Sequence, residues 1–251
     1  MKPLVQNITN FVVMNVTANA LLALGASPIM AHAQEELDDL LEIASALVLN
    51  IGTLDTPWIG SMKKAAALAR KRGIPIVLDP VGAGASRLRT ETALGLIQIQ
   101  HPSVIRGNAS EVLALAGNTG QTKGVDSILR PEGAEDAARR LGQSLGCVVV
   151  ASGPVDFITD GSAALWISGG TPLAPYVTGM GCISSAVIAA FASVEASPLL
   201  AAIAGMGVMK VAAELAAKKA AGPGTFQIHF LDALHNISAH EIEARLKIAG
   251  A

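Results

Sequence analysis

Short apolar runs alternate along this chain with longer stretches in which apolar residues return at helical spacing. The first pattern is that of strands buried on both faces, the second that of amphipathic helices. Val13, Thr17, Leu21 and Leu24 share a helical face, with Thr9 or Asn10 placed to cap that helix and Gly25 to end it. Residues 35–45 read as a second helix, with an acidic, solvated face over 35–42. Residues 46–50, Ala-Leu-Val-Leu-Asn, form an apolar strand that stops at Ile51-Gly52. Thr56 followed by Pro57 predicts a helix start; that helix keeps Lys63, Lys64, Arg70 and Lys71 wet and ends at Gly73.

The theme then repeats. A strand over 74–78 is followed by a helix over 90–99, a strand over 103–105, a helix from Ser110 and another over 131–145. A strand over 147–151 leads into two shorter ones, 156–159 and 163–168, read as a hairpin about Asp160-Gly161. Everything beyond Gly181 reads as helical, interrupted at Ser197-Pro198 and at Gly222-Pro223-Gly224. The order predicts an α/β fold: a largely parallel central sheet covered by helices on both faces, in three layers. No linker or low-complexity tract interrupts it, so residues 1–251 are expected to form one domain.

Composition narrows the partners. Eighteen basic residues against twenty acidic ones leave a net charge of −2, with no basic patch of the kind nucleic acid requires. The longest uncharged stretch, residues 161–194, is broken by Gly169-Gly170, Pro172 and Pro175; buried helices rather than a membrane span are expected. The first residues, Met-Lys-Pro-Leu-Val-Gln-Asn, do not read as a signal peptide. The two cysteines, Cys147 and Cys182, lie far apart, as suits a reducing cytoplasm.

Candidate chemistry gathers at the strand ends, where open α/β sheets bind ligands. Four strands end in Asn50-Ile-Gly52, Asp79-Pro-Val-Gly82, Arg106-Gly-Asn108 and Ser152-Gly153, each a polar side chain with a glycine. Any one of these is ordinary turn chemistry; four on one rim point to a site. Thr178-Gly-Met-Gly-Cys182 sets two glycines before an apolar helix, so that unpaired N–H groups at the helix start can surround a phosphate. The dinucleotide fingerprint is not met, since Gly82-Ala-Gly84 lacks its third glycine, and no Gly-Lys-Ser or Gly-Lys-Thr loop occurs. Asn108-Ala-Ser-Glu111 has two readings: a carboxylate holding water around magnesium, or a capping box.

In order along nearly the whole chain, these blocks resemble the hydroxyethylthiazole kinases. They are Asn7-Ile-Thr-Asn10, Gly25-Ala-Ser-Pro-Ile-Met-Ala-His32, Ala46-Leu-Val-Leu-Asn-Ile-Gly-Thr-Leu54, Asp79-Pro-Val-Gly-Ala-Gly84, Arg106-Gly-Asn-Ala-Ser-Glu111, Gly179-Met-Gly-Cys182 and Gly222-Pro-Gly-Thr-Phe226. The resemblance implies a ribokinase-like fold and ATP-dependent phosphorylation of the hydroxyl of 4-methyl-5-(2-hydroxyethyl)thiazole in thiamine biosynthesis or salvage, with magnesium as companion ion. It also implies a cytoplasmic homotrimer with the thiazole bound between subunits. Met30, Gly179 and Asn10 would touch the thiazole; Arg106, Ser152 and Asn108 would serve ATP; Asp79 and Glu111 would serve the metal; Gly179, Gly181 and Cys182 would form the catalytic turn. Cys182 would stand where sugar kinases of this fold carry an Asp base, and a helix start is expected to lower its pKa. Trp58, Trp166 and the five histidines read as structural or surface residues, and Cys147 as an inert core thiol. Rival readings are a hydroxymethylpyrimidine or sugar kinase of the same fold, and a non-catalytic thiazole or nucleotide sensor.

Overall fold

The computed structural model describes residues 2–118 and 133–251. Among these residues nine strands form one sheet. The first six are β1 (Leu4–Ile8), β2 (Ser27–Ile29), β3 (Ala46–Asn50), β4 (Ile76–Asp79), β5 (Val104–Asn108) and β6 (Val148–Ser152). They pair in parallel in the order β2-β1-β3-β4-β5-β6. The hairpin β7 (Val155–Thr159) and β8 (Ala164–Ser168) and the C-terminal β9 (Lys247–Gly250) then extend the sheet antiparallel.

Alternation along each strand sorts the core into two layers. Leu47 and Leu49 of β3, with Ile76 and Leu78 of β4, pack under α2 (Leu37–Ile43), α3 (Thr56–Arg72), α4 (Arg87–Ile99), α5 (Ala109–Asn118) and α6 (Gly133–Leu145). Ala46, Val48 and Val77 face the other way, against α1 (Met14–Leu24), α7 (Met180–Ala192) and α8 (Pro198–Ala217). An outer seam joins α1, α7 and α8 to α9 (Pro223–Asn236) around Phe226 and Phe230, and α10 (Ala239–Arg245) rests on α8. The three-layer α/β arrangement is the expected one.

Three strands depart from expectation. β1 carries Gln6 and Asn7 side by side and fully buried, which breaks the apolar run that would announce a strand. Their amides hold the neighbouring segment: Gln6 Nε2 donates to the Ala31 carbonyl at 2.5 Å and Asn7 Nδ2 to that of Ile29 at 3.4 Å. β2 contains Pro28, tolerated because β2 is the sheet edge. β9 lies where helix was expected; its exposed residues are ordered by pairing with β8.

Helix starts also move. α1 begins at Met14 with Val13 at the cap position, and the Asn10 side chain turns inward instead of capping. α3 is capped by Asp55, which accepts from the Trp58 N–H at 2.7 Å. α4 starts three residues earlier than expected, capped by Ser86. Residues 131 and 132 of the expected sixth helix lie outside the described residues. α8, with Lys210 and Glu214 in it, is long and apolar enough to cross a membrane, and 61% of its most apolar 18 residues is buried inside this fold.

Candidate active site

The C-terminal ends of β1, β3, β4, β5 and β6 line one rim, and the first turn of α7 descends onto it. Gly179 begins that turn in the left-handed region, φ +89°; a Cβ there would also lie 2.9 Å from Val13 Cγ1. Gly181 has a different reason. A side chain at 181 would overlap the Arg106 guanidinium, so the glycine lets that charge lie directly against the helix start. The N–H groups of this first turn have no side-chain cap, which leaves them for an anionic ligand.

One half of the rim is a buried hydrogen-bonded cluster. Asn10 Nδ2 donates to Asn50 Oδ1 at 2.8 Å and to Cys182 Sγ at 3.5 Å. Asn50 Nδ2 donates to Asp79 Oδ2 at 2.9 Å, and the Ser185 hydroxyl donates to the same oxygen at 2.7 Å. Asp79 Oδ1 is buried without a partner. Burial raises the Asp79 pKa to about 6, against the pull of Arg106 and the hydrogen bonds from Ser185 and Asn50. The Cys182 thiol is pushed up to about 11, first by burial and then by the neighbouring Asp79 charge. The helix start was expected to lower it; loss of water around the sulfur outweighs the partial charge of the helix end.

Beside this cluster, Arg106 Nη2 donates to Ser152 Oγ at 2.6 Å, and the Ser152 hydroxyl donates to the Gly107 carbonyl at 3.1 Å. Both line a cavity of about 790 Å³ with Asn108, Met180, Gly181, Ser184, Met206, Met209 and Lys210. Residues 108–111 form the capping box: Asn108 Oδ1 accepts from the Glu111 N–H at 3.0 Å, and Glu111 Oε2 from the Asn108 N–H at 2.7 Å. Glu111 Oε1 also accepts from the Gly82 N–H at 2.8 Å, tying α5 to the loop after β4.

The structure therefore brings Asn10, Asp79, Cys182, Gly179, Gly181, Arg106, Ser152, Asn108 and Glu111 to one rim. Met30 stands one strand further out, just past β2, half-buried against the α1–α7–α8 face. Trp58 is buried, with the Phe11 and His32 rings 4.6 and 3.9 Å away, and the buried Cys147 thiol is raised to about 12, as an inert core thiol should be. Three participants were not singled out from the sequence. Asn50 lay in a flagged strand end without a role. Ser185 carried a readable signal, three residues after Cys182 on the same helical face. Lys210 had none, since its partners are far away in the chain.

A model of the hydroxyethylthiazole kinase family matches residues 1–240. The chain belongs to the hydroxyethylthiazole kinase family. Relatives named hydroxyethylthiazole kinase include one from Nitratidesulfovibrio vulgaris (strain Miyazaki F), 58% identical over 98% of this chain and 92% of its own. Another, from Brachyspira hyodysenteriae, is 51% identical over the same shares. The hydroxyethylthiazole kinase structure from Pyrococcus horikoshii OT3 superposes with a TM-score of 0.93 at 42% identity, covering 100% of this chain and 94% of that one. A Staphylococcus aureus pyridoxal kinase in complex with AMP-PCP and pyridoxal shares the fold at 16% identity, with a TM-score of 0.67 over the full length of both chains. The ribokinase-like fold is thus established for this family member, and with it membership of a kinase family.

Proposed function

We propose that this chain transfers the γ-phosphoryl group of ATP to the hydroxyl of 4-methyl-5-(2-hydroxyethyl)thiazole, a reading supported by relatives that carry the name hydroxyethylthiazole kinase. The observation that carries this reading is the contact of Arg106 with Gly181, where the open cavity meets the buried Asn10–Asp79–Cys182 cluster. ATP occupies the cavity with its triphosphate toward Arg106, Ser152 and Asn108. Arg106 offsets phosphate charge with a planar set of donors, and the N–H groups at the start of α7 receive the transferring group.

The acceptor hydroxyl enters beside Asn10, Gly179 and Cys182, and Met30 supplies an adaptable apolar contact for the ring. Cys182 is protonated at neutral pH, so it works as a neutral hydrogen-bonding neighbour of the hydroxyl. Loose phosphoryl transfer asks mainly for positioning and charge stabilisation, which this rim supplies.

Among the described residues no three His, Cys, Asp or Glu side chains gather as a metal cage. That fits magnesium, which keeps most of its waters and leans on phosphate oxygens with one or two carboxylates. Asp79, whose Oδ1 is buried and unpaired, would hold it directly. Glu111, whose two oxygens already accept backbone N–H groups, would act through water. The ion would neutralise charge on the phosphate oxygens.

We take residues 1–251 as one kinase domain acting in the cytoplasm, a setting supported by its two free thiols. Assembly as a trimer with the thiazole between subunits is supported by Phe11 and Val12, apolar and exposed next to Asn10 in the chain. The decisive experiment measures ADP release from Mg-ATP with the thiazole alcohol, hydroxymethylpyrimidine or ribose. Thiazole-dependent release is expected. Faster release with a control would overturn the substrate, and silence from folded protein with all three would favour a sensor.

A further inference from the structure

On α8, one turn apart on the same face, Lys210 and Glu214 reach the two loops that wall the cavity. Lys210 Nζ donates to the carbonyls of Gly153 at 2.9 Å and Pro154 at 3.1 Å, and lies 3.2 Å from Asp156 Oδ2. Asp156 Oδ1 closes the ring by accepting from the Gly153 N–H at 2.9 Å. The Lys210 side chain is 12% exposed and that of Asp156 1%, so this ammonium sits in a cage of two carbonyls and a carboxylate. Glu214 Oε1 accepts from the Gly170 N–H at 3.2 Å, on the neighbouring turn after β8.

The 169–170 turn is shaped to admit this pair. Gly169 and Gly170 take φ +124° and +84°; a Cβ on Gly169 would lie 2.6 Å from Glu214 Oε1, and one on Gly170 3.2 Å from Lys210 Cδ. Gly153, Pro154, Asp156, Gly169, Gly170 and Lys210 all line the cavity. Ser152, the partner of Arg106, directly precedes the caged turn.

We propose that Lys210 and Glu214 are positioning residues for the nucleotide. The caged ammonium acts as a built-in cation that holds the 153–156 turn, Glu214 holds the adjacent 169–170 turn, and α8 thereby fixes the shape of this wall of the cavity. The proposal rests on the assignment of this cavity to ATP. A pair that shapes only this wall affects ATP affinity and leaves acceptor binding and the chemical step alone.

The test compares Lys210→Ala, Glu214→Leu, Glu214→Gln and the double variant Lys210→Met/Asp156→Asn. ADP affinity is read by calorimetry, together with kcat, the KM values for ATP and thiazole, and thermal melts. Lys210→Ala is expected to raise the ATP KM and the ADP Kd by about tenfold or more, the weight of charged hydrogen bonds. The thiazole KM stays unchanged and kcat moves by less than about threefold, as loss of uniform binding predicts. Propylammonium chloride restores ATP affinity in Lys210→Ala, whereas sodium chloride at equal ionic strength does not; neither rescues Glu214→Leu. Glu214→Gln, which keeps an acceptor for Gly170, stays near the parent. Lys210→Ala leaves a buried carboxylate unpaired and can fail to fold; the double variant removes both charges and carries the same expected loss of ADP affinity. Unchanged ADP affinity in folded variants with lowered melting temperatures would overturn the proposal and reduce the pair to a structural tie. Absence of thiazole-dependent turnover in the unaltered chain would overturn the substrate assignment alone, because ADP calorimetry reads the cavity walls without an acceptor.

Discussion

Asn10, Asn50, Asp79 and Ser185 are buried against one another with Cys182 half-buried beside them, whereas Arg106 and Ser152 open onto a cavity of about 790 Å³ floored by methionines. A buried polar group is costly unless paired, so the first region is a closed hydrogen-bond network that leaves Asp79 Oδ1 unmatched. The second region leaves its cation facing the cavity, as the proposed binding of an anionic ligand requires. One rim can therefore receive a charged donor and a neutral acceptor within a few residues of each other, because its two halves differ in hydration.

The sharpest way to break that contrast is Asp79→Asn. Turnover at saturating substrates is expected to fall by about 10³-fold, the scale of losing a key electrostatic group in a dry site. Stability is expected to move the other way. The folded carboxyl is raised from 3.8 to about 6, so the folded chain holds its proton more tightly than the unfolded one. The stability tied to that proton is fully present below about pH 4 and lost as pH rises through about 6. Asparagine stays neutral and escapes this loss, worth roughly 3 kcal/mol at most. Thermal melts should separate variant from parent at pH 8 and much less at pH 4; a variant that melts lower at pH 8 would contradict the burial argument.

Arg106→Lys tests the open half. Lysine cannot both reach Ser152 and lie flat against Gly181, so kcat/KM for ATP should drop by about 30-fold. A drop confined to the thiazole KM would mean that the two halves have been assigned the wrong way round. Cys182→Ala sharpens the buried half. With the thiol pushed up to about 11, it cannot serve as a base near neutrality, and a loss of about tenfold is expected from packing and positioning. The pH profile of the variant should match the parent between pH 6 and 9. Complete loss of turnover would restore Cys182 as an indispensable group. The smallest effect lies away from both halves. Trp166 Nε1 donates to Glu135 at 3.1 Å on the antiparallel arm, so Trp166→Phe should cost about 1 kcal/mol in denaturant melts and leave every kinetic constant alone.

The strand ends at Asn50, Asp79, Arg106 and Ser152 were legible because parallel strands buried on both faces must be apolar, so a polar residue at their end stands out. The glycine pair before Cys182 was legible as a helix start, but not the particular reason for Gly181, which is the approach of a guanidinium from β5. β1 escaped notice for the converse reason. Gln6 and Asn7 break its pattern, and their purpose is visible only once residues 29–31 lie beside them. β9 escaped because an exposed edge strand carries little sequence signal of its own; pairing with β8 creates it.

By itself, then, the chain determined the order of its central strands and helices, its two-sided core and the rim on which the chemistry gathers, because these follow from local periodicity and chain-neighbour sterics. Folding alone decided how the rim residues act on one another. Asn10 meets Cys182 across 172 positions and Asp79 meets Ser185 across 106, and the water those encounters exclude raises both the carboxyl and the thiol. Desolvation is a property of what surrounds a group in space, so no reading along the chain could have given the direction in which Cys182 moved.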